Sequence, residues 1–196
     1  MLDQDTQSVV DRLNDSLSKS GLSLRQFARA MGTDGSRFSS YRAGRVAPSA
    51  AFLIRAERIA EALSDARRDG IPTSIDAADA IRRAARKGNG DWTYALALEA
   101  RDRLREILER RRALSAAWEA QPPVMADHWT ALLAAFTAHE FDDAGLPAPK
   151  WTQGVRLDDE WVLDTPRLTD AEIKRQTPRW LAQRNIFIAE KDLVTW

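Results

Sequence analysis

Within residues 35–45 the chain sets three arginines, Arg37, Arg42 and Arg45, among three serines, Ser36, Ser39 and Ser40. Guanidinium groups neutralise phosphates and grip base edges, while short hydroxyls approach bases without filling a groove. The mixture therefore has the chemistry of duplex DNA recognition. Ser23 and Arg25 just upstream, and the bare backbone of Gly35, complete the set of expected DNA contacts.

Such side chains need a rigid support, and the spacing supplies one. After Ser23, a residue suited to an N-cap, Leu24, Phe27, Ala28 and Met31 recur on one helical face. Gly32 ends that helix and turns the chain. Asp34 then caps a second helix in which Phe38 and Tyr41 face inward and Gly35, Ser36, Arg37, Ser39 and Ser40 face out, until Gly44 and Pro48 close it. Two short helices joined this way form a helix-turn-helix, whose second helix enters the major groove. Arg37, Arg42 and Arg45 are expected on phosphates, with Ser36, Arg37, Ser39 and Ser40 toward the bases.

The flanks agree. Val9, Val10, Leu13 and Leu17 describe an opening amphipathic helix, and Pro48-Ser49 opens another carrying Phe52, Leu53, Ala56, Ile59, Ala60 and Leu63. A five-helix domain over 1–70 is the natural reading. The segment Leu22 to Ser49 resembles the Cro and phage-repressor (Xre-type) family, with which it shares the alanine at the helix crossing, the glycine turn and the closing Pro48-Ser49. It departs at Arg42, where the family usually has an acid, and at Gly35, where a glutamine often reads bases. The resemblance covers the first third of the chain and implies sequence-specific binding of an operator, as a dimer.

Composition sets outer bounds. The 196 residues are 44% hydrophobic and 30% charged, an ordinary globular make-up with room for more than one core. No cysteine is present, which removes disulfides, thiolate metal sites and a cysteine nucleophile. No apolar run reaches membrane-span length, and Met1-Leu-Asp-Gln-Asp does not read as a secretory signal, so a cytoplasmic protein is expected. Net charge is zero but unevenly placed. Arg25, Arg29, Arg37, Arg42, Arg45, Arg55 and Arg58 face only Asp34 and Glu57 between Gly21 and Arg58, whereas from Glu119 onward thirteen acids face eight bases. A basic DNA-reading head on an acidic body fits that asymmetry.

Residues 71–125 read as a helical connector: one helix from Ile75 to Lys87, a turn at Gly88-Asn-Gly-Asp91, and a long helix with an apolar seam of Trp92, Leu96, Leu104, Ile107, Leu108, Leu114 and Trp118, stopped by Pro122-Pro123. Such a helix either spans a bundle or pairs with its twin. Residues 126–196 hold a helix, Ala126 to Ala144, then short extended or turn-like pieces at 146–151 and 160–164, helices at 170–176 and 177–183, and the apolar piece Asn185-Ile-Phe-Ile188. Five of the seven tryptophans lie from Trp129 onward. Dense tryptophan marks either a core or a partner-binding face, and Trp151, Trp161, Trp180 and Trp196 are the expected partner contacts.

The run Ala144-Gly-Leu-Pro-Ala-Pro-Lys-Trp-Thr152, with Trp161, Asp164-Thr-Pro-Arg-Leu168, Thr177-Pro-Arg-Trp-Leu181 and Arg184-Asn-Ile-Phe-Ile188, is similar to Xre-type regulators encoded beside nucleotidyltransferase-like toxins. That resemblance covers the last third and implies an antitoxin that represses its own operon. The alternative is a ligand-responsive repressor with a small-molecule pocket in the same region.

Catalytic chemistry finds little footing. His128 and His139 are eleven residues apart on one helix, roughly 16 Å by helical rise, too far to share a metal. Ser16-Leu-Ser-Lys19 matches a serine-lysine pattern by letters only. The expectation is a mainly α, non-enzymatic regulator with no cofactor or metal, whose partners are double-stranded DNA, a protein toxin and a second copy of itself.

Overall fold

The structure, a computed structural model, describes residues 3–165 and 168–194; Trp196, one of the expected partner contacts, and the Pro166-Arg167 step of the C-terminal resemblance lie outside them. The chain is mainly helical, with 66% helix against 2% strand, as the apolar periodicity predicts. It forms two compact units, Met1–Ile75 with Arg111–Pro123, and Asp76–Arg110 with Val124–Trp196.

The first unit contains α1 (Gln4–Ser20), α2 (Leu24–Ala30), α3 (Gly35–Arg42) and α4 (Ala50–Arg68). Each starts on a side-chain cap: Asp3, Ser23, Asp34 and Ser49 accept from the backbone N–H three residues on. The core is aromatic at its centre. Phe27 meets Phe38 edge-on at 5.4 Å, and Tyr41 meets Phe52 at 5.2 Å. Around them pack Leu13, Met31, Ala56, Ile59 and Ala60.

Among the described residues, four α-helices, not five, lie within 1–70. The fifth position is filled from downstream, by a 3₁₀ turn at Arg112–Trp118 whose Ala116 and Ala117, with Ala120 just beyond, join the same core. Ser74 Oγ donates to Ala120 O at 2.7 Å, and Gln121 N donates to Ala30 O at 2.9 Å. The long helix expected from Asp91 to Trp118 is accordingly two elements. After α5 (Ser74–Ala85), α6 runs Gly90–Arg110 and Arg111 leaves helical geometry at φ −138°, ψ 47°. The sequence carries the reason: between Leu108 and Leu114 the seam is interrupted by Glu109-Arg-Arg-Arg112, so a continued helix would have no apolar residue to bury for just over a turn.

In the second unit α7 (Asp127–Asp143) is the central element, buried on nearly every side from Ala131 to Ala138. It ends at Ala144 with Gly145 at φ 67°, where Leu146 N donates to Phe141 O. Arg105 on α6 forks onto the buried carboxylate of Glu140 at 2.9 and 2.7 Å, and that contact raises the guanidinium's pKa. Beyond α7, β1 (Trp161–Val162), α8 (Asp170–Gln176), α9 (Arg179–Ala182) and β2 (Ile186–Phe187) follow. The two strands pair in parallel, Trp161 opposite Ile186, with the two short helices as the crossover that parallel pairing requires. Segment 146–151, expected to be extended or a turn, forms no strand and leads into a 3₁₀ turn at Lys150–Thr152. Among the described residues no helix is long and apolar enough to cross a membrane.

Candidate nucleic-acid interface

The turn between α2 and α3 is built by hydrogen bonds that only a left-handed residue allows. Gly32, at φ 69°, donates to Arg29 O at 2.8 Å, and Thr33 N reaches back to Ala28 O at 2.9 Å. Arg55 Nη2 on α4 donates to Met31 O at 2.7 Å and Gln121 N takes Ala30 O, so the open carbonyls of α2 are filled by residues far along the chain. Asp34 Oδ1 accepts from Arg37 N at 2.7 Å and starts α3. Phe38 and Tyr41 are buried, which turns Ser36 and Arg37 outward.

The expected DNA contacts divide into three groups. Arg25, Arg37 and Arg45 are exposed. Arg25 and Arg45 form no ion pair among the described residues, while Arg37 Nε donates to Tyr41 Oη at 2.7 Å, a contact that steadies the cation and raises its pKa. Ser36 is exposed and Ser39 half-buried on the same helix. A second group is already engaged. Arg42 Nε donates to Asn14 Oδ1 at 2.6 Å, Ser40 Oγ back-bonds to Ser36 O at 3.1 Å, and Ser23 is held in a reciprocal capping box with Gln26. Gly35 stands alone: a Cβ there would meet Leu24 Cδ2 at 3.6 Å, ordinary contact, so packing does not demand glycine.

The basic surplus of the sequence is thus partly neutralised by the fold. Arg58 forks onto Glu119, and Arg55 is tied to a carbonyl and lies over the Phe52 ring at 5.8 Å. Glu119 lies sixty-one residues from Arg58, and no local pattern announces the pair.

The expected partner contacts face inward in part. Trp151, Trp161 and Trp180 are half-buried. Trp161 sits 4.9 Å from His128 and 5.4 Å from Trp129, and Trp180 stacks on His139 at 4.1 Å and 18°. Both histidines therefore serve as aromatic packing partners. Trp92, assigned by its spacing to an apolar seam, is instead 56% exposed. It stands in the first turn of α6.

No family model, no curated protein and no solved structure matches the chain.

Proposed function

We propose that the chain is a sequence-specific DNA-binding transcriptional regulator of the Xre type, and that its second unit binds a protein toxin, so that it acts as the antitoxin of the pair and represses its own operon. The observation that carries the DNA reading is a glycine-turned pair of capped helices on which the fold leaves Arg25, Arg37 and Arg45 exposed without a carboxylate partner. In this reading α3 enters the major groove with Ser36, Arg37 and Ser39 toward base edges, and Arg25 and Arg45 hold phosphates. Hydroxyls discriminate bases modestly, so specificity leans on Arg37, on DNA shape and on two copies bound to a palindrome. Exposed Val46 and Ile54 supply apolar surface for a second copy. The resemblance of the last third, with its half-buried tryptophans, supports the toxin partner.

Titration of DNA from the chain's own promoter over a range of salt tests the docking. Arg25→Ala and Arg45→Ala should each make the slope of log affinity against log salt shallower by about 0.9, one phosphate's worth of released counterion. An unchanged slope in both variants rejects the docking. Co-expression of the full chain with the toxin encoded beside it should yield a co-purifying complex, and its absence removes the antitoxin half while leaving the DNA half standing.

A further inference from the structure

We infer that a cleft in the second unit is a binding site for a small organic cation with an apolar body. The cleft encloses about 950 Å³ between the start of α6, the stretch after β1 and the 3₁₀ turn Glu190–Asp192. That is the size of a site for a metabolite-sized ligand. The inference concerns the second unit alone and holds whether or not the first unit reads DNA.

Its walls select for charge and for shape together. Trp92, Ala95, Leu98 and Leu163 give an apolar lining, and the exposed indole of Trp92 is the aromatic face that best attracts a cation. Asp91, Asp164 and Asp192 line the same cleft against one cation, Lys191, and none of the three aspartates is in an ion pair among the described residues. The surplus is negative. Thr165 Oγ1 and Asp192 Oδ2 are moreover buried without a hydrogen-bond partner among the described residues. A carboxylate oxygen without a donor and a hydroxyl without a partner are a standing cost, and both can accept from the N–H groups of an ammonium or guanidinium ligand. Tyr94 does not compete for that role, because its hydroxyl donates to Asp192 O at 2.7 Å and burial pushes its pKa up, which keeps it a neutral part of the wall.

An anionic ligand fits poorly. Lys191 is outnumbered by the three aspartates, and the N-terminus of α6 is closed by Asn89, whose Oδ1 accepts from Trp92 N at 2.9 Å, and carries Asp91 in its first turn.

Calorimetric titration of the full chain with phenethylamine, and with 3-phenylpropionate as the same body bearing the opposite charge, tests the site. The amine should bind about tenfold more tightly than the acid. Trp92→Ala and Asp164→Asn should each weaken the amine about threefold or more. Both residues are exposed, so thermal melting should be unchanged, and an unchanged melt certifies that the loss is local. Equal binding of the acid, amine binding that survives both substitutions, or no amine binding at millimolar concentration would each overturn the site.

Discussion

Arginine does opposite work in the two units. In the first, Arg25 and Arg45 stand in water without a carboxylate. In the second, Arg101 is almost wholly buried, donating to Leu193 O at 2.7 Å and to Asp102 while lying over the Phe136 ring at 5.4 Å. Arg184 likewise turns inward, its Nη1 shared between Thr152 O at 2.9 Å and Val155 O at 2.7 Å. Burial lowers its pKa, a sign of the desolvation this arrangement costs. One cation type thus gives open surface charge at Arg25 and Arg45 and internal clasps at Arg101 and Arg184. Counting charges in a sequence cannot separate these uses; the distance to a carbonyl or carboxylate decides.

The sharpest way to break this contrast is to remove a cation from each side. Arg101→Met should destabilise the second unit by about 3 kcal/mol, because the carbonyl of Leu193 and the charge of Asp102 lose a nearly dry partner. Arg25→Ala should stay within about 0.5 kcal/mol, as exposed substitutions do, while weakening DNA binding. Urea denaturation followed by tryptophan emission measures both. Comparable losses of stability in the two variants would erase the distinction.

Legibility in the sequence follows the same division. The caps at Ser23 and Asp34, the turn at Gly32 and the inward Phe38 and Tyr41 are all decided within four residues, and the sequence shows them directly. What it hides is partnership at long range. Asn14 on Arg42, Glu119 on Arg58 and Asp192 on Tyr94 are 28, 61 and 98 residues distant, and hydrogen-bond geometry leaves no periodic trace. The 3₁₀ turn Arg112–Trp118 lies between these extremes. Its apolar residues are plain, but only the broken seam at Glu109-Arg-Arg-Arg112 hints that they leave the helix before them. Spacing puts Trp92 on the seam yet the indole is 56% exposed, because spacing reports a face and not how fully it is covered.

Arg67, like Arg55, is clasped to a carbonyl within the first unit, and it yields the next effect in size. Its guanidinium donates to Ser20 O and occupies the space where a Cβ on Gly21 would stand, with Gly21 at φ 62°. Gly21→Ala meets both a left-handed backbone and the displaced arginine, so a loss of about 1–2 kcal/mol in urea denaturation is expected. Pairing it with Arg67→Ala should recover the part due to overlap and leave the backbone part.

Acidification probes the second unit's aromatic packing. Burial holds the His128 imidazole below its ordinary 6.5, against the opposing charge of Asp127. Between that depressed value and 6.5 the unfolded chain binds more protons than the folded one. The contribution is therefore fully present above pH 6.5 and is lost as pH falls through the folded value. Denaturation midpoints should drop over that window in the parent chain, and drop less in His128→Phe.

The smallest expected change bears most directly on the proposed docking of α3 on DNA. Gly35 occupies the first position of that helix, where alanine restricts the unfolded chain and favours helical geometry, and its Cβ would rest against Leu24 at an ordinary distance. Gly35→Ala should raise stability by about 0.5 kcal/mol. If base contact is made by Ser36, Arg37 and Ser39, promoter affinity should be unchanged within a factor of about two, under 0.5 kcal/mol. A methyl group is too small to block a neighbouring arginine. A tenfold loss of affinity with the gain in stability intact would mean that the backbone at Gly35 itself lies against the duplex. The helix would then enter the groove by its N-terminal end, with glycine required for close approach and not for folding.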